Sequence, residues 1–407
     1  MFTLRQYIAT LSDPQGLTRT LGDIAVCRDP DGRICCSAGN TAAVFRIRHR
    51  GRIRSLRCYL RPVRHLREIY GDRLLEKELW VYLTPDQGAW TDVVVGDWIE
   101  GVPLHEAIAE AAAARDEARL TALSVAFDRL AAALVADQQA HGDLKPENII
   151  VAPDGALHPI DFDASFLPAF AGERSPELGT AAYQHPARTA ADFDPSLDDY
   201  PAALIATALH ALRLDPTLHD RYGDRDGLLF DPSGIAADPA LREATALFET
   251  EGLAAHYRIA RLLHAPALRL PGLGSLLARS ARESEANAPH PATVHPPAPD
   301  CTPAETGTPA PYNAPEAPEL FVRDGLWGYR DGERIVIPPL YDCGFDFSEG
   351  LAAVRLGKTW QYIDPAGRTA IRCPGCEAVK PFRDGHAVIV RDGKRLRIGR
   401  TGIEFVI

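Results

Sequence analysis

The chain has 407 residues, enough for two domains with cores of their own. Its formal net charge of −11 argues against nucleic acid as an obligatory partner. No run of about eighteen apolar residues occurs and Met1–Gly22 mixes charge with Pro14 and Gly16, so neither a membrane span nor a secretory leader is expected. The eight scattered cysteines then read as free thiols in a reducing cytoplasm.

Residues 39–60 and 90–100 alternate or run apolar in short pieces, which suits strands. Arg46, Arg48 and Arg50 alternate with Phe45, Ile47 and His49 and so share one strand face, within a run of nine arginines from Arg46 to Arg67. That face reads either as solvated or as an anion- or partner-binding patch. Leu66, Ile69, Leu74 and Leu75 suggest a helix that carries Glu76. Leu104–Ala114, Leu120–Gln139, Ala202–Leu212 and Ala255–Leu263 also have helical spacing. A small sheet followed by a helical region is an α+β architecture.

One segment concentrates chemistry. His141-Gly142-Asp143-Leu144-Lys145-Pro146-Glu147-Asn148 follows the long helix and precedes the apolar run Ile149-Ile150-Val151. A Pro153-Asp154-Gly155 turn then leads to Ile160-Asp161-Phe162-Asp163. Phosphoryl transfer from a nucleotide needs a carboxylate to accept the acceptor's proton, ligands for Mg²⁺, and a cation against the transferring group. One loop offers a carboxylate, a cation two residues on and an amide five residues on, and a second carboxylate returns thirteen positions after the amide.

The segment resembles the catalytic loop of eukaryotic-type protein kinases, H-R-D-L-K-P-x-N followed by D-F-G. The resemblance implies a bilobal fold, ATP and Mg²⁺ as cofactors, Asp143 as the base, Lys145 as the phosphate cation, and Asn148 and Asp161 as metal ligands. In a chain with only five lysines, Lys145 is a specific match, and it favours the protein-kinase branch over small-molecule kinases. Gly179-Thr180-Ala181-Ala182-Tyr183-Gln184-His185-Pro186 is similar to the family's G-T-x-x-Y-x-x-P peptide-binding segment. It implies that Thr180 ties its loop to the base and the lysine. Asp198-Asp199-Tyr200 opens the next helix, where such folds keep an aspartate that holds the catalytic-loop backbone. Val93–Gly101 resembles the strand and hinge that receive adenine, which implicates Asp97 and Ile99.

The departures concern the small lobe and the loop ends. Ser37–Val44 occupies the place of a glycine-rich loop and keeps only Gly39, with Val44 closing it. Arg57 stands where a lysine is usual, a substitution that is not conservative. Glu76 is its expected ion-pair partner, with surface solvation as the alternative. Asp163 replaces the glycine of D-F-G, and Gly142 replaces the arginine that pairs with a loop phosphate. Together these imply a site that loop phosphorylation does not switch.

From Ala281 to Pro318 the chain is Pro/Ala/Thr-rich with about ten prolines, so an extended, mobile linker is expected between residues 1–280 and 319–407. Beyond it the sequence repeats. Trp327 recurs as Trp360, 33 apart, and Phe347-Ser348-Glu349-Gly350 recurs as Phe382-Arg383-Asp384-Gly385, 35 apart. A further copy, Gly393–Ile398, has lost its aromatic. A period near 35 with strand-turn-strand content predicts an all-β repeat array and resembles WG-repeat (KWG) domains. Partner binding at these repeats is what that resemblance implies. Cys373-Pro-Gly-Cys376 has half of a zinc-knuckle spacing without a second pair, so a turn with two small thiols stands beside a metal site.

The expectation is a cytoplasmic serine/threonine-kinase-like domain acting on a protein hydroxyl, followed by a binding module. A nucleotide-binding pseudokinase scaffold and a small-molecule kinase remain as alternatives. The sequence leaves substrate, repeat ligand and oligomeric state open.

Overall fold

The computed structural model describes residues 2–84, 87–286, 317–402 and 404–406. The chain is mixed α/β and forms two compact units. The first comprises Met1–Ala107, Asp137–Ala181 and Arg188–Asp198. The second comprises Ile108–Ala136, Ala182–Ala187 and Asp199–Ile407.

The first unit is built on an antiparallel sheet of β1 (Ile24–Val26), β2 (Cys36–Ala38), β3 (Ala42–His49), β4 (Arg52–Tyr59), β5 (Leu74–Thr84) and β6 (Gln87–Asp97). The strands run in the order β1-β3-β4-β6-β5, with β2 also paired to β3. Period-two alternation decides its faces. Phe45, Ile47, Leu56 and Cys58 are fully buried and pack with Tyr7 and Leu11 of helix α1 (Leu4–Ser12). Thr3 and Gln6 cap that helix reciprocally, so its first turn is satisfied before it reaches the sheet. Burial of each large side chain in this layer contributes about 1.5–3 kcal/mol.

The opposite face carries Arg46 and Arg48, as the alternation predicts, and also Ser55 and Arg57, in register with Arg46 and Val44. Arg50 is not on that face but in the β3–β4 turn, at φ 47°. Helix α2 (Leu66–Tyr70) is only five residues long. Gly71, at φ 54°, ends it, and Leu74 already begins β5. The predicted helix through Glu76 is therefore a strand. Its leucines serve the pairing with β6 instead of a helical stripe. A three-stranded sheet of β7 (Val102–Pro103), β8 (Ile149–Val151) and β9 (Leu157–Pro159) completes the unit. Helix α3 (Leu104–Ala113) begins in this unit and ends in the second.

The second unit contains α4 (Glu117–Ala136), α5 (Asp199–Leu214), α6 (Leu218–Tyr222), α7 (Pro239–Thr250), α8 (Ala254–Leu262) and α9 (Leu273–Ala286). Every residue of α5 from Asp199 to Leu212 is buried, which its apolar, alanine-rich sequence permits. A buried polar knot joins four of these helices. His210 Nε2 bonds Asp128 at 2.7 Å, Ser280 donates to the same oxygen at 2.5 Å, and His256 bonds His210 at 3.0 Å. Burial holds both imidazoles well below their usual range and pushes Asp128 up. Among the described residues no helix is long and apolar enough to cross a membrane.

Three small antiparallel sheets follow. They are β10 (Glu319–Arg323), β11 (Leu326–Asp331) and β12 (Arg334–Tyr341); then β13 (Cys343–Gly344), β14 (Ala352–Leu356), β15 (Thr359–Ile363) and β16 (Thr369–Cys373); then β17 (Cys376–Val379), β18 (His386–Arg391), β19 (Lys394–Gly399) and β20 (Glu404–Val406). The repeated residues do repeated work. The Tyr329 hydroxyl donates to the Phe345 carbonyl and the Tyr362 hydroxyl to the Lys380 carbonyl, both at 2.7 Å. Each ring meets the repeated phenylalanine, Phe347 or Phe382, edge-on at 4.8 or 4.9 Å. Cys373 and Cys376 are buried beside Trp360, Tyr362 and Phe382. Among the described residues no three His, Cys, Asp or Glu side chains gather to hold a metal.

The composition break does not separate two compact units. Helix α9 continues to Ala286, past the expected start of the linker at Ala281, because Ser280 and Ser284 face the buried His256. Residues 287–316, including Cys301, lie outside the described residues. The repeats share a core with the helices: Ala254, Tyr257 and Leu276 pack with Tyr329, Ile337, Leu340 and Val354. Polar bonds close the rim. Arg258 reaches the Leu340 carbonyl at 2.6 Å and Asp342 at 3.0 Å, and Glu249 accepts the Lys358 N–H at 2.5 Å.

Candidate active site

All the sequence-predicted site residues belong to the first unit. The centre is the loop between Ala140 and β8. Its backbone is held by Asp198, fully buried, which accepts the N–H groups of His141 at 2.6 Å and Gly142 at 3.0 Å. Burial raises the Asp198 carboxyl while His141 and these donors offset the shift. The His141 Nε2 bonds the Ile160 carbonyl at 2.8 Å, so that nitrogen carries the proton and Nδ1 accepts the Asp143 N–H at 3.4 Å. Gly142 sits at φ 79°, and a Cβ there would lie 2.2 Å from the Ala164 carbonyl oxygen. Only glycine fits that approach.

Asp143 is aimed by three groups. One carboxylate oxygen accepts the Thr180 N–H at 2.6 Å; the other accepts Asn148 Nδ2 at 3.2 Å and lies 3.7 Å from Lys145 Nζ. Lys145 also donates to Thr180 Oγ1 at 2.8 Å. The Pro146–Asn148 turn folds Asn148 back so that its amide reaches the Asp143 carbonyl at 2.9 Å. Thr180 thus bridges the carboxylate and the ammonium.

Asp161 follows β9 in the left-handed region, at φ 69° and ψ 64°. Arg57 Nη2 donates to Asp161 Oδ1 and, at 2.5 Å, to Asp163 Oδ2. The Tyr70 and Tyr59 hydroxyls donate to Asp163 Oδ1 at 2.6 and 3.3 Å. Asp163 is 4% exposed. Burial works against the charge on Arg57, but Asp161, Tyr70, Asp163 and Tyr59 together hold it protonated. Burial raises Asp163, while Arg57 pulls the other way. Glu177, also raised by burial, feels the negative charge of Asp143, Asp161 and Asp163.

The remaining predicted residues divide. Val44 pairs in register with Arg57. Gly39 closes the β2–β3 turn, its N–H on the Ala42 carbonyl at 2.9 Å, with room for a Cβ. Asp97 ends β6 with an exposed carboxylate 3.2 Å from Arg54, and Ile99 is half-buried just beyond. Glu76 does not meet Arg57. It lies on exposed β5 and accepts Arg67 at 2.7 Å, because the chain leaves helix at Gly71. Sequence reasoning missed Tyr59, Tyr70 and the role of Asp163. A second carboxylate two residues beyond Asp161, opposite an arginine, was the available signal. It also missed Glu78, whose buried carboxylate gathers the N–H groups of Arg19, Thr20 and Leu21.

The donor set suits a hard cation. Asp161 and Asn148 carry side-chain oxygens of the kind that Mg²⁺ takes, and they would leave the rest of its shell to other oxygen ligands.

The family model described as WG containing repeat matches residues 332–360, from the β11–β12 turn into β15. The chain matches no curated protein.

Proposed function

We propose that the first unit is part of a bilobal, protein-kinase-like domain that transfers the γ-phosphoryl group of ATP to a protein hydroxyl. The observation that carries this reading is Thr180, whose N–H and hydroxyl engage Asp143 and Lys145 together. In the reaction the acceptor oxygen bonds to the γ-phosphorus, the bond to the β–γ bridging oxygen breaks, ADP leaves, and the acceptor proton passes to Asp143. Lys145 neutralises charge on the transferring group. Asn148 and Asp161 would hold Mg²⁺, which supplies further neutralisation on the phosphates when bound. The WG repeats, packed on α8 and α9, present a surface for a partner protein or peptide. The cytoplasm, where ATP and reduced thiols coexist, is the compartment this reading assigns.

A nucleotide-binding scaffold without transfer is the second reading, favoured by the Arg57 bond to Asp161, a candidate metal ligand. Labelled ATP with Mg²⁺ and a generic acceptor protein separates the two. Asp143→Asn is expected to slow transfer by about 10²-fold or more without altering the melting midpoint. Undiminished turnover in that variant removes Asp143 from the mechanism, and nucleotide binding with no wild-type transfer selects the scaffold.

A further inference from the structure

The strand arginine of this site is not held by a helix. Helix α2 ends at Tyr70 and its one carboxylate, Glu68, is exposed. Glu76 lies on exposed β5 with Arg67. Yet Arg57 is only 12% exposed at its side chain and must be compensated. Its compensation comes from Asp161 and from Asp163, whose two oxygens accept from Arg57, Tyr70 and Tyr59. These donors arrive from β4 and α2.

We propose that Asp163 is the positioning residue for Arg57, replacing a helix-borne glutamate. It thereby places the anchor of the phosphate-binding cation two residues from the metal carboxylate Asp161. The proposal rests on the phosphotransfer reading. A guanidinium has donors to spare in this arrangement. Its planar fork engages two carboxylates through one nitrogen and leaves other donors for phosphate. Arg57 Nε has no hydrogen-bond partner among the described residues, although it is buried. The cation and the metal carboxylate are consequently tied within one short stretch, Asp161–Asp163, and no helix needs to swing to join them. The substitution of arginine on β4 and of aspartate after Phe162 thus form one paired change. Neither is an isolated loss.

The test reverses what motif matching suggests. Asp163→Gly restores the usual triplet, and motif logic expects it to be neutral or beneficial. Here it is expected to weaken ATP binding about ten-fold or more, measured by calorimetry, and to raise KM for ATP more than it lowers kcat. Asp163→Asn preserves shape and is expected to lose comparable affinity while the protein stays folded, since Asp161 still faces Arg57. The double variant Asp163→Gly with Tyr70→Glu returns a carboxylate from α2, and is expected to recover most of the lost affinity. Unchanged or tighter binding by Asp163→Gly overturns the proposal. So does unfolding of Asp163→Asn, which would assign the residue to the core alone. If the wild type binds no ATP, the phosphotransfer reading falls and takes this inference with it.

Discussion

The loop 140–148 and the WG-repeat array use hydrogen bonds in opposite ways. In the loop the bonds do not recur, and key partners arrive from far along the chain: Asp198 for His141 and Gly142, Thr180 for Asp143 and Lys145. In the repeats one bond recurs, tyrosine hydroxyl to a carbonyl just past the first strand of the following sheet, backed each time by a phenylalanine. The first design concentrates charge on a few atoms, and no second element can replace a lost partner. The second spreads stability over equivalent units, as a stacked array does. A site must be singular, whereas a packing module can repeat.

Three changes to the chain probe these two designs. The largest effect should come from ending the chain at Ala286. Ala254, Tyr257 and Leu276 would then lose the repeat residues that cover them. With two large side chains uncovered, a loss of about 3–6 kcal/mol is expected. Urea unfolding of the truncated and full chains measures it. An unchanged midpoint would mean that the repeats are carried without contributing to the helical core.

Asp198→Ala comes next. It leaves the His141 and Gly142 N–H groups buried without acceptors, at a cost of about 2 kcal/mol or more. Transfer activity should fall with it, since the loop loses its support. A destabilisation below about 0.5 kcal/mol would show that the loop is held by something other than Asp198.

The smallest effect tests equivalence inside the array. Tyr329→Phe and Tyr362→Phe each delete one hydroxyl bond and should each cost about 1 kcal/mol, alike within a few tenths. Ile398, at the corresponding place in the last copy, has no hydroxyl to lose, and Ile398→Val should cost about 0.5–1.5 kcal/mol through the lost methylene alone. Unequal tyrosine costs would mean that the sheets are not interchangeable.

How much of this was legible depended on separation along the chain. The loop was readable because its groups lie within eight residues, His141–Asn148, and the strand alternation at Phe45 and Ile47 was readable because it is local. The helix through Glu76 was misread for an equally local reason. Leu66, Ile69, Leu74 and Leu75 mimic a helical stripe, yet Gly71 breaks it and β6 supplies hydrogen bonds that a strand can use. Helix α9 extends past Ala281 because buried His256 lies beside its serines, and no composition rule contains that neighbour.

By itself the sequence determined which groups stand within reach of one another along the chain. These are the Asp143, Lys145 and Asn148 constellation, the D-G turns and the period of the β array, since all are set by backbone geometry over a few residues. Tertiary structure alone decided what Arg57 faces, why residue 142 must be glycine, and where the repeats rest. Each of those depends on an atom brought from a distant segment: Asp163 from 106 positions away, the Ala164 carbonyl against Gly142, and α8 and α9 against the first repeat sheet. Burial makes such meetings decisive, because an enclosed charge or N–H group must find its partner wherever the fold supplies one.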